Sequence, residues 1–165
     1  MMFSHNTKEL SRVRSFTVSQ RTGGKYTYNY SAINWGGEVG FNKPFGTPLI
    51  PYFGIMGGYI HNPDPSQDND GYLPCGLFDR LSGLKRAFDW SLEYTFRRIE
   101  KDTWLDFLPD ASFYSGKTNV MGHRVKLALG ITKNVILGIN YYNTWAVSGL
   151  SSDENVIQGD LTFKF

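Results

Sequence analysis

The sequence contains a single cysteine, Cys75, among 165 residues. One cysteine cannot form a disulfide within the chain, and it excludes a metal site built from several thiolates. Charged residues make up only 19% of the sequence, and the formal net charge is +2. So small a charge does not indicate a nucleic-acid partner, because phosphate backbones are bound by strongly basic surfaces.

Long hydrophobic runs are also missing, since no run reaches the roughly 18 apolar residues that a membrane-spanning helix needs. Their absence excludes helical spans only. A membrane β-barrel alternates apolar and polar residues along each strand and therefore keeps a low mean hydropathy. Aromatic residues, by contrast, are abundant at 16%, and there are 18 glycines. This composition favours β-structure with aromatic anchoring at an interface.

The last twelve residues alternate most clearly between apolar and polar side chains. One face carries Ile157, Gly159, Leu161, Phe163 and Phe165, and the other carries Gln158, Asp160, Thr162 and Lys164. Alternation with a period of two predicts a β-strand. Here the strand ends on the aromatic final residue.

Six upstream segments repeat this alternation with varying clarity, at 33–42, 48–60, 71–79, 88–97, 122–131 and 134–145, and a weaker one lies near 11–19. Strands of about ten residues match the length needed to cross a bilayer at a tilt. The sequence therefore predicts an all-β protein, an antiparallel transmembrane β-barrel region over 31–165 with seven or eight visible strands. Residues 1–30 form a poorly defined segment with one weak strand. We expect an open part of a larger barrel.

The two faces of these strands differ in chemistry. Apolar side chains that we expect to face lipid include Leu92, Leu127, Leu137, Ile139, Leu161 and Phe163. Charged side chains on the opposite face would line a wet lumen and set its selectivity. The candidates are Glu38, Asp89, Glu93, Arg97, Arg124, Lys126, Asp160 and Lys164. Because both signs occur, the pattern assigns no ion preference.

The connections between the predicted strands suggest an orientation. Short turns at 43–47, 80–86 and 131–134 fall on the side of the C-terminus, and longer polar loops at 61–70, 100–117 and 147–154 fall on the other side. Outer-membrane barrels have short periplasmic turns and longer extracellular loops. This sorting favours a membrane barrel over a soluble one.

Motifs for chemistry are weak. Residues 111–118 (ASFYSGKT) loosely match a phosphate-binding loop, but the following segment alternates as a strand where a helix is needed. Asp64, Asp68 and Asp70 fail the EF-hand register, which leaves open only an irregular loop site for a divalent ion. No G-x-S-x-G nucleophile elbow is present. We therefore expect no enzyme activity, no catalytic residue, no resident metal and no cofactor.

From about residue 31 onward the sequence resembles the C-terminal region of the putative porin family of bacterial outer membranes. The resemblance rests on FDWSLEYTFRRIEKD at 88–102, SGKTNVMGH at 115–123, NVILGINYYNTW at 134–145 and ENVIQGDLTFKF at 154–165. PDASF at 109–113 departs from the pattern, because a further acidic residue is expected before Phe113. The resemblance implies a channel for passive diffusion of small polar solutes or ions in the outer membrane. The implied partners are outer-membrane lipid, those solutes and the barrel-assembly machinery, and a homo-oligomer is left open.

In outer-membrane barrels similar to this one, the last strand ends in Phe and serves as an insertion signal, which assigns that role to Phe163 and Phe165. Such a protein needs a signal peptide, yet residues 1–15 (MMFSHNTKELSRVRS) have neither an apolar core nor a small-residue cleavage site. We therefore expect this 165-residue sequence to begin inside a longer precursor. Two alternatives stay open: a small closed barrel with a structural or adhesive role, and a soluble ligand-binding barrel with its apolar face turned inward.

Overall fold

Alternating sequence and frequent β-branched and aromatic residues produce a structure of strands, seen in a computed structural model of the chain. The structure describes residues 21–47, 49–79, 87–104, 113, 116–149 and 153–165. A short hairpin comes first, formed by β1 (Arg21–Thr22) and β2 (Lys25–Tyr26). The longer strands are β3 (Ile33–Asn42), β4 (Tyr52–His61), β5 (Asp70–Asp79), β6 (Trp90–Ile99), β7 (Val120–Gly130), β8 (Val135–Ala146) and β9 (Glu154–Phe163).

The seven long strands form one antiparallel sheet in which neighbours in sequence are neighbours in space, in the order β3 to β9. Each strand pairs with the next in a constant register, for example Glu93 opposite Lys126 and Lys126 opposite Asn140. The pairing of β5 with β6 is interrupted at Leu73 and Pro74. Among the described residues, β3 and β9 each pair on one side only. The sheet is therefore open, which agrees with part of a barrel. All elements in the described residues are strands, and this confirms the predicted all-β class.

Most predicted strand positions agree with the structure to within two residues. The prediction at 48–60 begins too early, because β4 starts at Tyr52. Phe88 was predicted to start a strand, but it lies in the preceding turn with a φ of 66°. The weak strand predicted near 11–19 lies outside the described residues.

No helix in the described part of the chain is long and apolar enough to cross a membrane.

The connections sort to the two ends of the sheet as predicted, but their lengths differ less than expected. Among the connections between the seven long strands, 131–134 is the shortest and 100–119 is the longest. However, 43–51 and 80–89 are longer than 62–69 and 147–153, although they lie at the end with the C-terminus. The prediction that all turns at that end are short was therefore wrong. Two of the turns at that end are longer than predicted because β4 and β6 begin later in the sequence than predicted.

Side chains on the two faces of the sheet differ as the sequence predicts. We call the face that carries Glu93, Arg124 and Asn140 the polar face, and the face that carries Leu92, Leu127 and Ile139 the apolar face. The larger part of the buried core lies on the polar face. There Phe113, Val120 and Tyr142 form a cluster against which Val156 packs.

Candidate functional site

The centre of the polar face is an ion pair between neighbouring strands. An Arg124 Nη2 group on β7 donates to Glu93 Oε1 on β6, and Thr95 Oγ1 lies 3.5 Å from the same nitrogen. Thr95 Oγ1 also donates to Glu93 Oε1 at 3.3 Å. Because Thr95 stands directly opposite Arg124 in the register, the guanidinium reaches diagonally toward Glu93. The two charges are thus held together on the same face.

A loop residue covers this part of the polar face. Phe113 belongs to the connection between β6 and β7 and is only 3% exposed. Its ring packs beneath the Arg97 guanidinium, with Arg97 Cζ 3.9 Å from the ring centroid, and meets Tyr142 edge-on at 6.4 Å. A cation over an aromatic face is attracted to the electron-rich ring. The contact therefore holds Phe113 against the polar face.

A small cavity remains between Phe113 and the ion pair. Its volume is about 80 Å³. Its lining comes from Met56, Leu73, Cys75, Glu93, Thr95, Arg97, Phe113 and Arg124. The cavity therefore brings together three of the predicted lumen residues, namely Glu93, Arg97 and Arg124.

The remaining predicted lumen residues lie elsewhere. Glu38 lies on the polar face of β3, where it accepts a 2.7 Å hydrogen bond from Tyr52 Oη. Gly40 makes room for this tyrosine, because a Cβ there would lie 2.3 Å from Tyr52 Oη. On β9, Asp160 accepts a 3.0 Å hydrogen bond from Asn140 Nδ2.

Three further candidates complete the predicted set. Lys126 is exposed on the polar face of β7, opposite Glu93 in the register. Asp89 is buried just before β6 begins, and Lys164 is exposed just after β9 ends. Both lie at the end of the sheet with the C-terminus, away from Glu93, Arg97 and Arg124.

Phe113 was not among the predicted site residues, because a lone aromatic in a long connection gives no sign of which surface it covers.

The apolar face carries aromatic contacts toward both ends of the strands. Toward the end with the longest connection, Trp35 contacts Tyr59 at 5.8 Å and His123 contacts Trp145 at 5.4 Å between ring centroids. Toward the other end, Phe41 stacks on Phe53 at 6.4 Å. Between these bands the apolar face carries side chains such as Val39, Ile55, Val125 and Ile157.

Polar groups border this aromatic band at the end with the longest connection. Asp70 Oδ1 accepts hydrogen bonds from Tyr59 Oη at 2.5 Å and lies 2.8 Å from His61 Nδ1. Arg98 pairs with Glu100 at 2.9 Å. Within the described residues, no group of three or more His, Cys, Asp or Glu side chains is placed to hold a metal ion. Asp64 instead accepts a hydrogen bond from the Asn29 backbone at 2.8 Å.

Comparison with protein families matches residues 76–165, from within β5 through the end of the chain, to the family described as putative porin. The match covers more than half of the sequence. The chain belongs to this family. The matched region contains the cluster of Glu93, Arg97, Phe113 and Arg124 as well as Asp160, whereas Glu38 lies before it. Comparison with curated proteins and with solved structures gave no match.

Proposed function

We propose that this protein is an outer-membrane porin whose strands cross the bilayer with the apolar face toward lipid and the polar face toward a water-filled lumen. Small polar solutes or ions would pass by diffusion, and no chemical step is involved. Family membership supports a porin-type role in general. The argument for the orientation comes from the burial of the two faces.

One observation carries the proposal: among the side chains that the structure describes in the long strands, every exposed large hydrophobic one belongs to the apolar face. There are twelve of them: Ile33, Trp35, Val39, Phe41, Ile55, Tyr72, Tyr94, Ile139, Tyr141, Ile157, Leu161 and Phe163. A soluble protein would bury such a surface, because contiguous exposed apolar area of this kind is unfavourable in water. Lipid removes that cost.

Burial on the polar face points the same way. Thr95, Asn140 and Thr144 are buried there, and Thr144 is only 1% exposed. In a soluble ligand-binding barrel the apolar residues would fill the interior instead. The distribution therefore favours a membrane barrel over the soluble alternative, with polar side chains directed toward the interior.

The aromatic contacts near both strand ends fit the same orientation. Outer-membrane barrels carry girdles of aromatic residues at both lipid–water interfaces, about 25 Å apart across an apolar band. Trp35, Tyr59 and Trp145 would anchor one interface, and Phe41 and Phe53 the other. Indole and phenol rings favour this region because one part is apolar and another can bond to water or headgroups.

Selectivity in this proposal depends on the charged groups of the polar face. Arg97, Arg124 and Lys126 supply positive charge, and Glu38, Glu93 and Asp160 supply negative charge. Charges in a narrow wet pore favour ions of opposite sign. The partners we propose are outer-membrane lipid, the diffusing solutes and the assembly machinery, which would bind the strand that ends at Phe163 and Phe165.

Cell fractionation and bilayer recording test this function together. The full-length protein should fractionate with the outer membrane and, after purification in detergent, produce discrete current steps in planar bilayers. The step size should rise in proportion to salt concentration, as expected for diffusion through a wet pore. Recovery in the soluble fraction, or folded protein that inserts without current steps, would contradict the proposal.

A further inference from the structure

A second and larger cavity lies on the polar face of β3 to β6, toward the end with the longest connection. Its volume is about 310 Å³, and its lining includes Asn34, Gly58, Ile60, Leu73, Arg97 and Ile99. Small-molecule sites typically measure about 300–1,000 Å³ and combine apolar walls with a few polar groups. The cavity is therefore large enough for a solute of modest size.

Glycine creates the space in this cavity. A Cβ built on Gly58 would meet no atom within 4 Å, so the volume above this residue is open. The surrounding walls are apolar side chains of three strands, Ile60 on β4, Leu73 on β5 and Ile99 on β6. Such walls favour a ligand that carries an apolar body.

The polar groups in the lining of the cavity favour one class of ligand. Among its described lining residues Arg97 is the one that is charged, and Asn34 adds an amide. The nearby carboxylate of Glu93 lines the smaller cavity instead, where it is paired with Arg124. A guanidinium is a planar donor that matches the geometry of a carboxylate. The donor in the cavity therefore suits a ligand that carries a carboxylate.

Arg97 is also held in place by Phe113, whose ring centroid lies 3.9 Å from Arg97 Cζ. A positioned donor loses less conformational entropy on binding than a mobile one. The aromatic contact thus prepares Arg97 for a ligand that approaches from the cavity.

We propose that this cavity is a binding site for small organic monoanions, in which the carboxylate contacts Arg97 and the apolar body packs against Ile60, Leu73 and Ile99. The proposal rests on the proposed porin function, since it names the class of solute that would pause in the lumen. It adds a specific solute site to a channel that would otherwise discriminate only by size and overall charge.

Binding of benzoate to the full-length protein in detergent, measured by equilibrium dialysis, tests the site without requiring a current. Benzamide, which has a similar shape but no charge, is the control ligand. Arg97→Gln should weaken benzoate binding at least about tenfold, since it removes a charge-assisted hydrogen bond. The matched variant Lys133→Gln also removes one positive charge, but from the exposed turn between β7 and β8 outside the cavity, and it should bind benzoate like the unmodified protein.

A second pair of variants tests the shape of the site. Gly58→Val should fill the cavity and weaken benzoate binding while Arg97 is retained. Gly76→Val is its control, because a Cβ at Gly76 also meets nothing within 4 Å but Gly76 lies on the apolar face. Both proteins should retain the fold, which circular dichroism checks.

The outcomes separate this site from the porin function itself. Benzoate binding that is lost in Arg97→Gln and Gly58→Val but kept in both controls supports the site. Equal binding of benzamide and benzoate, or unchanged benzoate binding in Arg97→Gln, overturns it even if the protein conducts ions. Conversely, specific benzoate binding by a protein that gives no current would support the site and contradict the porin function.

Discussion

The guanidinium of Arg97 lies over the ring of Phe113, with Cζ 3.9 Å from the ring centroid. One residue belongs to strand β6 and the other to the long connection that follows it. Because Phe113 is almost fully buried on the polar face, this contact fixes part of the connection against the sheet. Arg97 also lines both cavities on the polar face.

Truncation of this contact should be costly. Phe113→Ala should lower the free energy of unfolding by about 2–4 kcal/mol, because it removes a buried aromatic side chain and its contact with a cation. The control is Phe45→Ala, since Phe45 is exposed in the connection between β3 and β4. That change should stay within about 0.5 kcal/mol. Denaturant titration of the protein in lipid vesicles measures both, and equal effects would contradict the buried position of Phe113.

The orientation of the sheet predicts opposite effects of arginine on its two faces. Leu137→Arg, on the apolar face, should destabilise the protein by about 2–4 kcal/mol if the residue lies near the bilayer midplane. Gln158→Arg, on the polar face, should cost much less because the charge stays in water. Unfolding in vesicles compares the two variants. A cost at position 158 as large as that at position 137 would reverse the assigned faces.

The ion pair between Glu93 and Arg124 should show energetic coupling. We expect a double-mutant cycle with Glu93→Gln and Arg124→Gln to give a coupling of about 1–2 kcal/mol, since both side chains are largely shielded from water. The pair of Glu93 with Lys126, opposite in register but with Lys126 exposed, should couple more weakly, as exposed pairs do. Equal coupling in the two cycles would show that the contact with Arg124 is not formed.

The final aromatic residue should affect assembly more than stability. Phe165 is fully exposed and follows the end of β9 at Phe163, so its removal deletes little buried area. A full-length protein without Phe165 should assemble poorly in cells, measured by its amount in the outer membrane, yet refold in detergent with unchanged stability. The control Phe165→Tyr retains an aromatic terminus and should assemble better than the deletion. Normal outer-membrane levels of the deleted form would remove the insertion role.

Much of the sheet could be predicted because its faces are encoded by simple alternation. The strand at 33–42 was predicted with its observed bounds, and the faces of Leu127 and Lys126 follow from their positions in the period of two. One of the two less regular alternations, at 48–60, misplaced the start of β4. Glycines contribute no side chain to the pattern, and this segment contains Gly54, Gly57 and Gly58.

The site was harder to predict than the sheet. Sequence assigned Glu93, Arg97 and Arg124 to one face, but it could not show that Arg124 reaches Glu93, because this depends on strand register and side-chain conformation. The position of Phe113 depends on the path of a long connection, and a connection has no repeating sequence pattern from which its path could be predicted. The cavity beside Arg97 arises from Gly58 on β4 and apolar residues on β4, β5 and β6, a combination visible only once the strands are aligned.

Neighbouring positions on opposite faces of β7 should differ in their exposure to the lumen of a conducting protein. Lys126→Cys and Leu127→Cys are made in a Cys75→Ser background, and a charged, membrane-impermeant methanethiosulfonate is added during planar-bilayer recording. Current through the Lys126→Cys channel should change in discrete steps, while current through the Leu127→Cys channel should stay constant. Modification of the current at position 127 but not at 126, or no current from the inserted parent protein, would contradict a water-filled lumen lined by the polar face.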